Sequence, residues 1–177
     1  AVTAIAVVFI AAGTAVFLMV KKPVSTLPLS ASVLSLPDFA FKDVDGNTIA
    51  LSSLYGRPLV LDVWASWCRF CARQIFDFTA LQKEFGDKVL IVEVNRGESL
   101  EIVKKYISEV DRAYLFGDGS RTLLFALDAD DLLYKDMKGF SMPETLFIDK
   151  KGAIVDHTRG HTNIMEMRRR IEDLFAL

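Results

Sequence analysis

The sequence predicts an α/β domain, with a central mixed sheet flanked by helices, preceded by one transmembrane helix. Three observations support this fold class: a charge-free apolar stretch opens the chain, apolar runs of strand length alternate with amphipathic helical segments, and Gly or Pro residues separate several of them. Of 177 residues, 51% are hydrophobic, so apolar residues must be concentrated somewhere. Because 21 Lys and Arg oppose 23 Asp and Glu, no basic excess is left for a phosphate backbone, and we expect no nucleic-acid partner.

We expect residues 1–22 to form a transmembrane anchor, with residues 1–20 in contact with the lipid bilayer. Residues 1–20 carry no charge, and a helix of this length, at about 1.5 Å per residue, crosses roughly 30 Å of hydrocarbon. A cleaved signal peptide is the alternative, although its apolar region is usually about 7–15 residues long. Lys21 and Lys22 follow the span, but the chain begins without Met, so we expect earlier residues whose charges help to decide the topology.

Residues 23–36 form the predicted linker, and residues 37–177 the predicted globular domain. The linker is uncharged, contains two prolines and has no sustained helical or alternating pattern. The rest is about as long as a typical single domain. It contains both cysteines of the chain, which are too few for a disulfide framework.

The first half of the domain alternates strands with helices. A turn-forming cluster between two short apolar runs predicts an N-terminal β-hairpin. Nearly continuous apolar runs predict strands buried on both faces, and apolar residues at helical spacing predict helices. In chain order, these elements are hairpin strands 39–41 and 48–51, strand 59–64, helix 68–85, strand 89–94 and helix 99–110.

The second half contains a second hairpin between helices. Two apolar runs around a turn at residues 149–152 predict its strands. In chain order, the elements are helix 130–137, hairpin strands 144–148 and 153–157, and helix 163–175. Residues 111–128 receive no element. The turn signal at residues 117–119 leads us to interpret this stretch as an added wall beside a substrate groove.

Cys68 and Cys71 form a C-x-x-C pair at the predicted strand-to-helix junction. The first turn of a helix offers unpaired N–H groups and a partial positive charge, which both favour a thiolate over a thiol. We therefore expect Cys68 to be the nucleophile, and Cys71, one turn later and more buried, to be the resolving cysteine. The positive charge of Arg69 should stabilise this thiolate further, and Phe70 adds an apolar side chain at the edge of the site. We expect no cofactor other than a redox-active Cys68–Cys71 disulfide.

Two other interpretations of the cysteine pair stay open. In one, the pair is half of a zinc site completed by His157 and His161. However, 85 residues separate Cys71 from His157, where a zinc finger has about a dozen. In the other, the two cysteines are core residues that happen to lie three positions apart.

Residues 63–71, V-W-A-S-W-C-R-F-C, resemble the active-site stretch of thioredoxin-fold proteins. The wider pattern is similar to the TlpA/ResA-like branch of membrane-anchored thiol-disulfide oxidoreductases. It comprises L-P-D-F at 36–39, D-G-N at 45–47, L-S-S-L at 51–54, Gly56, V-N-R-G-E-S at 94–99 and M-P-E-T-L-F-I-D at 142–149. The resemblance covers nearly all of residues 37–177 and implies a thioredoxin-like fold.

The same resemblance implies a location and partners. It implies a single-pass protein of a bacterial cytoplasmic membrane, with its catalytic domain facing the periplasm or the cell exterior. Protein disulfides are the implied substrates, and a membrane-embedded thiol protein is the implied electron donor. The P-E-T sequence at 143–145 is also similar to the branch that reduces apocytochrome c before haem attachment, which implies a role in cytochrome c maturation. Because no feature of the sequence indicates dimerisation, we expect a monomer.

The resemblance also assigns a substrate-binding surface around the cysteines. In this fold, the residue matching Pro143 is a cis-proline that faces the cysteine pair and leaves the Met142 main chain free to bind an extended substrate. An ordinary proline at a strand start is the alternative. Glu144 has the alternative of being a solvated residue beside the site. The expected substrate-binding residues are Trp67, Arg69, Phe70, Met142, Pro143 and Glu144.

Asp62 matches the buried acid of thioredoxins, which makes it the expected proton acceptor for Cys71. A carboxylate inside an apolar strand is costly unless its pKa rises, and a raised pKa suits a proton acceptor. A solvated Asp facing an edge is the alternative. Gln74 departs from the resemblance, because ResA-like members commonly carry Glu there. Gln74 cannot tune the cysteines by charge, so we expect Asp62 to take over that role.

The sequence therefore predicts a membrane-anchored thiol-disulfide oxidoreductase that acts as a reductant rather than an oxidant. A disulfide isomerase is a second hypothesis of the same class. Two hypotheses from other classes stay open, an extracytoplasmic copper chaperone that uses both cysteines and a histidine, and a redox-inert thioredoxin-fold binding module.

Overall fold

A mixed seven-stranded sheet forms the centre of the part of the chain that the computed structural model describes, residues 35–110 and 123–177. The strand order is β2-β1-β5-β4-β3-β6-β7. β3 pairs in parallel with β4, and β4 with β5, while the other neighbours are antiparallel. The strands are β1 (Ala40–Asp43), β2 (Thr48–Ala50), β3 (Leu59–Trp64), β4 (Leu90–Arg96), β5 (Leu124–Asp128), β6 (Glu144–Ile148) and β7 (Ile154–Arg159). This arrangement confirms the predicted α/β fold with its N-terminal hairpin.

Helices cover both faces of the sheet. They are α1 (Cys71–Phe85), α2 (Leu100–Val110), α3 (Leu132–Asp136) and α4 (Ile164–Phe175), with short 3-10 segments at Leu51–Leu54 and Gly86–Lys88. Successive residues of β3 point to opposite faces and both faces are covered, which explains why every residue of the strand except Asp62 is apolar. Val60 and Trp64 pack under α1, α2 and α4, whereas Leu59, Leu61 and Val63 pack with α3 and the hairpin. We call the first face the cysteine face, because Cys68 and Cys71 belong to its core cluster.

The helix that carries the cysteine pair begins at Cys71, three residues later than predicted. Cys68 N–H donates to Ala65 O at 3.0 Å, and Cys71 N–H donates to Cys68 O at 3.1 Å, so tight turns precede the helix. The first helical hydrogen bond runs from Gln74 N–H to Phe70 O. Cys68 therefore lies in the turn before the helix, and Cys71 is its first residue.

The structure adds one strand that the sequence did not predict. β5 lies within the unassigned stretch 111–128 and pairs with β4 and β1. Residues 111–122 of the proposed wall (111–128), with its predicted turn at 117–119, lie outside the described residues, as do the anchor at residues 1–22 and most of the linker. At the end of the linker, Ser35 forms a bridge with Ala153, and Leu36 is buried. None of the described helices is both long and apolar enough to span a bilayer.

Candidate active site

Cys68 and Cys71 form a disulfide at the carboxyl end of β3, with their Cα atoms 5.3 Å apart. Cys68 is 6% exposed and Cys71 is fully buried, as the sequence predicted for a nucleophile and its partner. Cys71 N–H also points at Cys68 Sγ, at 3.2 Å. An N–H group at a helix start stabilises negative charge, so this contact favours a Cys68 thiolate once the disulfide is reduced.

Glu98 fixes the loop between β3 and the cysteines. Its Oε2 accepts from Ser66 N–H at 2.7 Å, and its Oε1 from the Ser66 hydroxyl at 2.5 Å. Asn95 Nδ2 donates to Glu98 Oε2 at 2.7 Å and so connects the carboxylate to β4. No role was predicted for Glu98, although it lies within the V-N-R-G-E-S stretch of the family resemblance.

Two exposed groups of aromatic and cationic side chains lie at the surface, one next to Cys68 in the chain and one beside the loop before β6. Trp67 is 66% exposed and Phe70 56%, and the Arg69 guanidinium lies 5.6 Å from the centre of the Phe70 ring. Phe140 is 78% exposed, with the Arg159 guanidinium 5.1 Å from its ring centre. Phe140 and Arg159 were not predicted, because their closeness to the β6 loop depends on the pairing of β6 with β7.

The Met142–Pro143 peptide bond is cis, as the resemblance implied. Pro143 is buried, and its carbonyl accepts from Gly160 N–H at 2.8 Å. Met142 is half-buried and packs against the core cluster that contains both cysteines. The loop that leads into β6 therefore borders the cysteine face.

Asp62 is fully buried on the cysteine face, which rules out the solvated alternative. Its Oδ1 accepts from Gln74 Nε2 at 2.7 Å and from the Thr145 hydroxyl at 2.6 Å, while its Oδ2 has no partner among the described residues apart from the carboxyl group of Glu93. Burial raises the pKa of Asp62 to about 7, against the opposing effect of the hydrogen bonds from Thr145, Gln74 and Glu93. Asp62 therefore changes its protonation near neutral pH.

Gln74 connects three elements at this point. Besides its contact with Asp62, its Nε2 lies 3.0 Å from Thr145 Oγ1 of β6, and its Oε1 accepts from Thr162 N–H before α4. Gln74 is fully buried one turn after Cys71 in α1. It cannot act by charge, as expected, but it holds Asp62 beneath the first turn of α1.

Glu93 is a second buried acid beside Asp62, and it was not among the predicted site residues. The two residues are register partners in β3 and β4, and both are fully buried. Apart from the carboxyl group of Asp62, neither carboxyl oxygen of Glu93 has a hydrogen-bond partner among the described residues. Burial, and then the charge of Asp62, raise the pKa of Glu93 well above its usual value. The available signal was an acid inside an apolar strand, the same signal that identified Asp62.

Glu144 lies on the opposite face of the sheet from Asp62 and is fully buried, so it is not the solvated residue of the alternative interpretation. Its Oε1 accepts from the N–H groups of Phe140 and Ser141 at 2.7 and 2.6 Å. Its Oε2 lies 2.8 Å from His157 Nε2. Glu144 thus holds the loop before Pro143 from beneath.

The two histidines of the zinc and copper hypotheses contact different residues. His157 pairs with Glu144, whereas the exposed His161 ring lies 6.4 Å from the Phe70 ring. Within residues 35–110 and 123–177, no three His, Cys, Asp or Glu side chains form a group that could hold a metal ion. The two cysteines are bonded to each other.

Comparisons with known proteins agree with this geometry. Residues 34–157 match the model of the AhpC/TSA family. The thioredoxin-like protein YneN of Bacillus subtilis is 30% identical over 137 residues, which cover 77% of this chain and 76% of YneN. The thiol-disulfide oxidoreductase ResA of Bacillus subtilis is 32% identical over 127 residues, 70% of this chain and 65% of ResA. The solved structure of the exposed lipoprotein thioredoxin Etrx1 from Streptococcus pneumoniae superposes with a TM-score of 0.66 at 26% identity, covering 78% of this chain and 100% of Etrx1.

Proposed function

Because the chain belongs to the AhpC/TSA family and is a thiol-disulfide oxidoreductase of the thioredoxin superfamily, we propose that it reduces disulfides of extracytoplasmic proteins from a membrane tether. The observation that carries this proposal is the contact between Cys71 N–H and Cys68 Sγ. It gives the more accessible sulfur of the pair a stabilised thiolate in the reduced enzyme. A thiolate is the species that attacks a client disulfide.

The proposed reaction is a dithiol–disulfide exchange in two steps. First, the Cys68 thiolate attacks one sulfur of the client disulfide, and the other client sulfur leaves with the electron pair. Then Cys71 loses its proton to the Asp62 carboxylate, and its thiolate attacks Cys68 Sγ. The Cys68–Cys71 bond forms, the bond from Cys68 to the client breaks, and the second client sulfur leaves as a thiolate. The two client thiolates take up protons from water according to their pKa values, and Asp62 returns its proton to solvent. The enzyme is oxidised by two electrons, which reduce the client.

We assign the client-binding surface to the groups around Cys68. Trp67, Phe70 and the Arg69 guanidinium offer exposed apolar and cationic contacts on one side. On the other side, Met142 and Pro143 offer a main chain on which an extended client segment can align. Glu144, being buried, contributes by holding this loop and not by touching the client.

The direction of electron transfer is proposed to be reductive. A buried acid that accepts the Cys71 proton near neutral pH promotes release of the client from the mixed disulfide. Equilibration of the full chain with mixtures of reduced and oxidised dithiothreitol measures the potential of the Cys68–Cys71 couple. A value near the thioredoxin end of the range, about −270 mV, supports the proposal, and a value near −120 mV, typical of an oxidant, contradicts it.

The proposal also includes a membrane tether and a role in cytochrome c maturation. The charge-free residues 1–20 supply the tether, and the similarity to a protein described as an exposed lipoprotein thioredoxin supports an extracytoplasmic site. We expect the full chain to remain in the membrane pellet after an alkaline carbonate wash, whereas release into the supernatant contradicts a transmembrane anchor. A peptide with a C-x-x-C-H disulfide should be reduced faster than one with the same composition in scrambled order. Equal rates argue against an apocytochrome client.

A further inference from the structure

Two carboxyl groups share one buried space on the cysteine face. Asp62 and Glu93 are register partners in parallel strands, so their side chains project from the same face of the sheet. Both are fully buried. Apart from each other's carboxyl group, neither Asp62 Oδ2 nor either oxygen of Glu93 has a hydrogen-bond partner among the described residues. Three carboxyl oxygens side by side in a core without another partner are costly when both groups are charged, and this requires an explanation.

No cation is aimed at this pair from the described elements around it. Gln74 of α1 and Thr145 of β6 contact Asp62, and Cys71 lies one turn before Gln74 in the core cluster of the same face. Burial, and then the charges of Glu93 and Glu98, raise the pKa of Tyr106 in α2. Two cations of the helices on this face pair with other acids, Arg73 with Asp77 in α1, and Arg170 of α4 with Asp156 and Glu166. Phe125 of β5 and Ile171 of α4 contribute apolar surface to the same cluster.

Two adjacent buried carboxyl groups without a cation do not ionise together, because each negative charge opposes the other. One of the two carboxyl groups therefore stays protonated, while the other gains and loses its proton. Asp62 has two donors on Oδ1 that stabilise its charged form, from Gln74 and Thr145, whereas Glu93 has none. Asp62 is thus the member that ionises first, and Glu93 the member that stays neutral.

We propose that Glu93 is a positioning residue of the exchange reaction: it keeps the retained proton, so that Asp62 is the free carboxylate that accepts the proton of Cys71. This inference rests on the proton-acceptor role of Asp62 in the proposed function. The Glu93 proton is not transferred. Only the Cys71 proton moves, to Asp62, as the Cys68–Cys71 bond forms and the client thiolate leaves. The neutral Glu93 carboxyl is a donor beside Asp62 Oδ2, which an apolar side chain is not.

The test follows the second step of the reaction alone. In the reduced full chain, the Cys68 thiolate attacks 5,5′-dithiobis(2-nitrobenzoate), which leaves a mixed disulfide on Cys68 and releases a first coloured thiol. Attack by Cys71 on this mixed disulfide then releases the second coloured thiol, and the rate of this second release is followed. The rate is measured from pH 5 to pH 9 for the wild-type enzyme, Glu93→Leu, Glu93→Gln and Asp62→Asn. Asp128→Asn is the matched control, because Asp128 is a buried acid of the same sheet that caps α3 through Leu132 and Leu133 N–H.

We expect Glu93→Leu to move the midpoint of the rate profile to higher pH by about one unit, about a tenfold loss of rate on the acid side. Glu93→Gln keeps a neutral donor and should stay close to wild type, as should Asp128→Asn. Asp62→Asn should remove the midpoint near neutral pH. If Asp62→Asn removes the midpoint and Glu93→Leu leaves it at the wild-type pH, the role of Glu93 is refuted, whereas the proton-acceptor role of Asp62 stands. If neither moves it, the proton-acceptor role of Asp62 also fails.

A second measurement covers the case in which Glu93→Leu does not fold. Carbon-13 labelling of the glutamate carboxyls, with Glu93→Gln to assign the signal, reports the protonation of Glu93 directly in the folded full chain. A Glu93 signal that stays in its protonated position from pH 5 to pH 8 supports the proposal. A signal that moves to the ionised position by pH 7 overturns it.

Discussion

Asp62→Asn should stabilise the oxidised protein, and the gain should grow with pH. The pKa of Asp62 rises from 3.8 to about 7 in the fold. Between these values the folded protein holds a proton that the unfolded chain has lost, so stability falls as pH rises from about 4 to about 7. Asn has the same shape and does not ionise. It keeps an acceptor for Gln74 and Thr145 and places a donor next to Glu93.

The magnitude follows from the pKa of Asp62. Each pH unit between the unfolded and folded pKa values corresponds to about 1.4 kcal/mol, so ionised Asp62 destabilises the fold at pH 8 by about 4 kcal/mol. The penalty is almost absent at pH 4, where most of the carboxyl is protonated in the fold. Asp62→Asn should therefore have about 4 kcal/mol more advantage over wild type at pH 8 than at pH 4.

Urea unfolding of both full-length proteins in the oxidised state at pH 4, 6 and 8 measures this difference. The comparison at pH 4 is the internal control, because it contains the packing and hydrogen-bond effects of the substitution without the ionisation of Asp62. If the stability difference between the two proteins is the same at pH 4 and pH 8, burial does not perturb Asp62, and the reasoning is refuted.

Two further predictions concern the groups that hold the site. Gln74→Leu removes a donor from Asp62, so the carboxyl midpoint in a carbon-13 titration should rise by about one pH unit, and an unchanged midpoint would show that Gln74 only fills space. Glu144→Ala leaves the N–H groups of Phe140 and Ser141 unpaired and should lower the free energy of unfolding by about 1–3 kcal/mol, with slower reduction of a disulfide peptide. Glu144→Gln keeps one acceptor oxygen and is the control. Equal losses in both variants would contradict the role assigned to the Glu144 carboxylate.

The cysteine site could be predicted because its signals are local. The strand Leu59–Trp64 was predicted with its observed bounds, since a run of six residues that is apolar except for Asp62 is typical of a strand covered on both faces. Cys68 and Cys71 follow the end of this strand within seven residues. The strand, the turn and the start of the helix therefore lie in one short segment of the chain. The helix start was placed three residues early, because spacing alone does not reveal the tight turns at Cys68.

The carboxyl pair could not be predicted because it depends on strand register. Asp62 faces Glu93 only because β3 and β4 pair in parallel with these two residues as partners. The role of Gln74 likewise needs the position of α1 over the sheet. Glu144 follows Pro143 in the chain, yet the alternation of β6 turns it to the face away from Asp62. β5 was missed because an apolar run of five residues does not distinguish a buried strand from part of a helix.

Trapping of the mixed disulfide tests the central claim most directly. Full-length Cys71→Ser, reduced and mixed with a peptide that carries one C-x-x-C disulfide, should accumulate a covalent adduct through Cys68, because the introduced serine hydroxyl cannot release it. Mass spectrometry should locate the bond between Cys68 and a peptide cysteine, and the Cys68→Ser variant should give no adduct. If Cys71→Ser forms no adduct, or if the adduct forms through Cys71 in the Cys68→Ser variant, Cys68 is not the nucleophile and the account is contradicted.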